Sequence, residues 1–108
     1  MKIDNLLPLG SVVYLEEGQV PIMIVLRHPI LKIEDESYYF DYAGVNHIIG
    51  LEPEKITYFN QNNIDRIVFE GYKSEYESQI KRGLAEWVET HPEVSKGEVD
   101  EINKLLKK

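Results

Sequence analysis

Hydrophobic and polar positions along the chain follow two different periods. Up to about residue 72 the apolar residues come in short runs separated by turn residues, and from residue 73 onward they recur every three or four positions. The first pattern predicts strands and the second amphipathic helices. Residues 11–16 carry Val12, Val13, Tyr14 and Leu15 behind the turn signal Pro8-Leu9-Gly10, and Glu17-Gly18 supplies the next turn. Pro21 precedes the unbroken run Ile22-Met23-Ile24-Val25-Leu26. Such a run suits a strand covered on both faces, or one inside a small closed barrel. Residues 32–36 predict a polar hairpin loop. Residues 38–45 predict a third strand, with Tyr38, Phe40 and Tyr42 on one face and Tyr39, Asp41 and Ala43 on the other. Gly44 within it marks a bulge or a close backbone approach. Residues 56–59 and 67–70 predict the fourth and fifth strands. Between them the tract Asn60-Gln61-Asn62-Asn63 favours a tight helical turn, because these side chains compete for backbone hydrogen bonds.

The later part predicts two helices. Ser74-x-x-Glu77 has the capping-box spacing, and Tyr76, Ile80, Leu84, Trp87 and Val88 then form one apolar stripe until Pro92. Ser95-x-x-Glu98 repeats the spacing and opens a short helix bearing Val99, Ile102, Leu105 and Leu106, with Lys107 and Lys108 suited to a helix C-terminus. That last stripe needs a cover: its own sheet, the preceding helix, or a partner. The whole reads as α+β: a bent antiparallel five-stranded sheet or small SH3-like barrel followed by two C-terminal helices. A flat sheet with helices on one face is the rival. A length of 108 residues predicts a single domain, 1–108, with a β-rich part over 1–72 and a helical part over 73–108.

Charge narrows the partners. The formal net charge is −7. Residues 1–72 hold eleven acids against five bases, so the strand region repels a polyanion, and no nucleic-acid partner is expected. The sequence contains no cysteine, which removes disulfides, thiol nucleophiles and thiolate metal sites. The N-terminal stretch lacks a basic end followed by an unbroken apolar run, and the longest apolar run covers only residues 21–26. A cytoplasmic protein with no secretory signal and no membrane insertion is therefore expected.

Candidate chemistry is thin. The three histidines, His28, His47 and His91, sit at separate strand or helix ends and lack metal-ligand spacing. Asp41 lies among tyrosines and could act as a general acid or base, but the sequence offers no catalytic partner. A structural aspartate bonded to a hydroxyl or amide is the plainer reading. A hydrolase or transferase built on Asp41 and a histidine stands as the weakest alternative. The seven tyrosines suit a sheet core or a protein interface, and Trp87 on the helix stripe suits an anchor between helix and sheet. No catalytic, cofactor-binding or metal residue is assigned.

One longer pattern says more. Leu6-Leu7-Pro8-Leu9-Gly10-Ser11-Val12-Val13-Tyr14-Leu15 leads to Pro21-Ile22-Met23-Ile24 and Arg27. Further on come Phe40-Asp41-Tyr42-Ala43-Gly44-Val45, Tyr58-Phe59-Asn60, and Ile64-Asp65-Arg66-Ile67-Val68-Phe69-Glu70-Gly71-Tyr72. This order and spacing resembles a family of small Gram-positive bacterial proteins known as domain of unknown function 4176. The resemblance spans about residues 6–77. It departs at Leu26, where the family pattern has glycine before the arginine. It also departs at Asn46-His47-Ile48-Ile49-Gly50, which stands in place of a Tyr-Pro-x-Gly stretch. The resemblance implies a companion of type VII secretion, associated with loci for LXG-type toxins. The expected role is a non-enzymatic chaperone or targeting adaptor in the cytosol, bound to a co-encoded toxin or secretion factor. An immunity protein that neutralises a toxin domain is the alternative. Partner contact is expected at Tyr39 and Asp41, at Asn46 and His47 in the divergent loop, and at Ile102 and Leu105 on the last helix.

Overall fold

The computed structural model describes residues 5–106, with side chains as far as residue 102. In chain order the elements are β1 (Val12–Leu15), β2 (Ile22–Arg27), β3 (Ile30–Ile33), β4 (Glu36–Tyr39), β5 (Tyr42–Asn46), β6 (Thr57–Phe59), β7 (Ile64–Phe69), α1 (Glu77–Thr90), β8 (Ser95–Lys96) and α2 (Val99–Leu106). Strands β6-β5-β2-β1-β7 form one open antiparallel sheet in that order, and β3-β4-β8 form a second, small sheet. The expected α+β architecture is present as the bent sheet and not as a closed barrel.

The bend comes from a single long ribbon. Arg27 faces Tyr42 in the first sheet, and beyond the corner Ile30 faces Tyr39 in the second, so the register continues across the break. At the corner the His28 N–H donates to Asp41 O at 3.0 Å and the Phe40 N–H donates to Pro29 O at 3.0 Å. His28 itself sits at φ 59°, the left-handed region that lets the chain turn sharply. The continuous third strand expected over 38–45 is therefore two strands, β4 and β5, parted at Phe40 and Asp41. Gly44 meets the close approach expected of it. A Cβ there would stand 2.5 Å from Ile22 Cγ2, beside the register shift between Ile24 and Leu26.

Two apolar clusters hold the ribbon. Leu6, Leu7, Val13, Ile22, Ile24, Tyr42 and Phe59 pack together, with Leu84 of α1 against them. Ile33, Phe40 and Ile102 make the second, and Val99 touches both. The last helix thus folds back on its own chain. Helix α1 has no buried residue, and Tyr76 and Ile80 on its predicted stripe are exposed. Its first turn is fixed instead by Glu77, whose carboxylate takes a 2.9 Å hydrogen bond from Arg27. This contact displaces the expected capping box. Glu77 leaves Ser74 for Arg27, and the helix begins at Glu77 without a side-chain cap. The second capping box is absent for a different reason. Ser95 lies in β8, paired in parallel with Tyr38, and α2 starts only at Val99.

The β3–β4 turn is made by Glu34 at φ 49° and Asp35 at φ 72°, the two positive angles of a type I′ turn. Neither residue favours that region, whereas Asn-Gly does. Replacing the pair by Glu34→Asn and Asp35→Gly is expected to stabilise the protein by about 1 kcal/mol, read as a rise in Tm of several degrees. An unchanged or lower Tm would show that this turn is not strained.

Candidate functional site

The aromatic strand delivers its aspartate to the inside of the molecule. Asp41 and Asn60 are each 4% exposed. The Asp41 N–H donates to Asn60 Oδ1 at 2.9 Å, and Asp41 Oδ2 accepts the Gln61 N–H at 2.8 Å. The same oxygen lies 3.2 Å from Lys96 Nζ. Asn60 Nδ2 donates to Gly97 O at 2.7 Å, and the Asn60 N–H donates to Asn63 Oδ1 at 2.8 Å. The tight turn expected over residues 60–63 is a 3-10 helix at Gln61–Asn63. Its Asn60 is the second half of this polar junction. Tyr42 extends the network: its hydroxyl donates to Gln61 Oε1 at 2.6 Å and accepts the Leu7 N–H at 2.8 Å. Burial pushes its phenol up to about 12.

A row of rings lies beside the junction. His28 stacks on Tyr39 at 4.5 Å between centroids and meets Trp87 edge-on at 4.8 Å, and Trp87 stacks on His91 at 4.1 Å. Trp87, expected as a core anchor between helix and sheet, is half-buried outside both apolar clusters and meets the ribbon through His28. His28 Nε2 is buried with no hydrogen-bond partner among the described residues. Desolvation lowers the His28 pKa, and the negative charge of Asp41 opposes it. Burial raises the Tyr39 pKa, and Asp41 adds to it. Asp41 and His28 meet through backbone atoms, while the Asp41 carboxylate is taken up by Gln61 and Lys96. This arrangement supplies charge pairing and packing. It does not assemble a nucleophile with its base. Among the described residues no group of three or more His, Asp or Glu is placed to hold a metal ion.

The far end of β5 carries a different surface. Asn46 Oδ1 accepts the Ile48 N–H at 2.8 Å, and Asn46 O accepts the Gly50 N–H at 2.7 Å. The His47 N–H donates to Pro21 O at 2.9 Å, which ties the loop to the start of β2. So held, the loop presents Ile48, Ile49 and Leu51, each 65–71% exposed. A cleft of about 370 Å³ lies elsewhere, between α2 and β6, lined by Leu31, Phe40, Ile56, Thr57, Tyr58, Val99 and Ile102.

The family described as Domain of unknown function (DUF4176) matches residues 6–80. The chain belongs to this family. No curated protein matches it, and no solved structure does. The DUF4176 match covers β1 to β7 and the first turn of α1, so Asp41, Asn60 and Gln61 lie inside it. Lys96, Gly97 and α2, which complete the junction, lie beyond.

In this DUF4176 chain the candidate partner residues fall at separate places. Tyr39 and Asp41 belong to the junction. Tyr39 is half-buried under His28, and Asp41 is spent on internal bonds. Asn46 and His47 stand at the opposite end of β5 and shape the apolar loop. Ile102 is buried within its own chain, at the edge of the cleft. The side chain of Leu105 lies outside the described residues. Sequence reading missed Asn60, Gln61, Lys96 and His28 as a set with Asp41. The polar tract at residues 60–63 was the available signal, but it named a turn and not a partner. No helix among the described residues is long and apolar enough to cross a membrane.

The depressed His28 pKa has a measurable sign. As pH falls through the ordinary imidazole value of 6.5, the unfolded chain takes up this proton before the folded one does. Stability contributed by neutral His28 is complete above that pH and is lost below it. Glu77, lowered chiefly by its hydrogen bond from Arg27, contributes only further down, below its ordinary 4.5. Denaturant unfolding is expected to show falling stability from pH 7 to pH 5. His28→Asn, which does not titrate and tolerates positive φ, is expected to flatten that slope. A slope that survives the substitution would assign it to another group.

Proposed function

We propose that this DUF4176 protein is a non-enzymatic accessory protein that works by binding another polypeptide in the cytoplasm. Its client in this reading is an LXG-type toxin exported by type VII secretion, which the protein holds or targets as a chaperone or adaptor. The observation that supports the reading is the loop after β5. Three large aliphatic side chains, Ile48, Ile49 and Leu51, are held out in water by a loop fastened at Asn46 and His47. An apolar group fixed in its exposed position loses little entropy on binding, which is how an interface anchor is built. Glu52 and Glu54 follow directly, and the chain's net charge is −7, so a client with a basic rim around an apolar socket would be steered to it. The family's association with toxin loci, implied by the sequence resemblance, supplies the class of client.

Co-expression with an LXG toxin encoded beside the protein tests this. A stoichiometric complex is expected on size exclusion, weakened at least about tenfold by Ile48→Asp with Ile49→Asp while the far-UV spectrum stays unchanged. Failure to co-elute with that toxin would overturn the adaptor. Rescue of growth when the isolated toxin domain is expressed would assign the immunity role instead.

A further inference from the structure

The two edges of the larger sheet are unlike. At one edge β6 has three residues (Thr57–Phe59), and such a short strand offers little to pair with. At the other edge β7 has six residues (Ile64–Phe69) with no proline or lysine, and its outer side has no strand beside it among the described residues. Ile67, Val68 and Phe69 in it are 49–59% exposed. An apolar edge of this length is a template for another strand.

The order of residues in β7 and in the three residues that follow it says which strand. Laid antiparallel on itself about Val68, the sequence sets Val68 against Val68, Ile67 against Phe69, and Arg66 against Glu70. Beyond these, Asp65 falls against Gly71 and Ile64 against the exposed Tyr72. Arg66 then meets the opposite charge of Glu70, Asp65 meets no charge, and each aromatic ring meets a β-branched residue. The ion pair and the aromatic pairs are favourable cross-strand pairs. A shift of one residue between the strands in one direction places Asp65 against Glu70, and in the other it places Ile67 against Glu70. The pairing therefore selects one register. The groups it needs are at hand. The Arg66 guanidinium lies 4.4 Å from the centre of the Tyr14 ring on β1, the inner neighbour of β7, and pairing across the edge requires it to turn outward from that ring. Glu70 pairs with Lys73 at 2.8 Å, an exposed pair that exchanges easily.

We infer that β7 pairs antiparallel with β7 of a second copy of this chain about a two-fold axis at Val68, joining the two large sheets into one. The interface is isologous, so each cross-strand pair occurs twice. It lies at the edge opposite β6 and is independent of the client reading above.

Sedimentation velocity on the full chain over a micromolar to millimolar range tests it. The wild type is expected to dimerise. Glu70→Arg sets like charges opposite Arg66 at two symmetric places, and Arg66→Glu does the same opposite Glu70. Each is expected to weaken the dimer about tenfold. The double variant Arg66→Glu with Glu70→Arg restores the complementarity and is expected to restore the dimer. Val68→Lys, with like charges facing each other on the axis, gives a second route should Arg66→Glu unfold by losing its seat on Tyr14. Far-UV spectra confirm that each variant folds. A chain that stays monomeric at every concentration would overturn the inference, as would a dimer that ignores the reversals or a double variant that fails to recover. Protection of the β7 amides from exchange only when the toxin is added would give this edge to the client instead.

Discussion

A buried carboxylate and a buried carboxamide hold four separate segments at one point. Asp41 and Asn60 are linked to each other by the Asp41 amide. Through them the junction reaches His28 at the corner of the ribbon, Gln61 at the start of the 3-10 turn, and Lys96 and Gly97 ahead of the last helix. The ribbon bends where it does because both of its strands are held there. The positive φ of His28 and the junction's hold on Asp41 coincide at this corner, where β4 and β5 part. Such groups are costly to bury unless each finds partners, and here the partners come from distant parts of the chain.

The proposed role rests on surface groups and not on this junction. The residue that most resembles a catalytic acid is consumed by structure. Exposed apolar groups stand at several places on the surface, among them the loop after β5 and the strand β7, on which the proposed client and dimer contacts rest. The loop is stiffened by Asn46, and β7 is carried by β1 through a bulged register that leaves its outer side open. Helix α2 contributes Val99 and Ile102 to the interior, so it closes the fold.

Much of this was legible along the chain, and the reason differs by element. β1 and β2 were readable because Val12, Val13, Ile22 and Ile24 sit between clear turn signals. The 3-10 turn was readable because its amide side chains announce it. The division of residues 38–45 was not readable, since it depends on Asn60, nineteen residues away from Asp41. The helix starts were misplaced because Glu77 has a stronger partner in Arg27 than in its own helix end, and because Ser95 is drawn into a two-residue strand by Tyr38. In both cases a tertiary contact overrode a local signal. At the site, Asp41 stood out by its aromatic neighbours, but its role was set by Gln61 and Lys96, which nothing in its vicinity of sequence names.

Amide hydrogen exchange across the junction tests its place in the fold most directly. The Asp41 and Gln61 amides donate to side chains and not to a strand ladder, so their protection measures the junction itself. Both are expected to exchange only with global unfolding, in the same slow class as the Ile24 amide inside the sheet. Exchange of these two amides at the rate of exposed loop amides, with Ile24 still protected, would show that the sheets hold together without the junction.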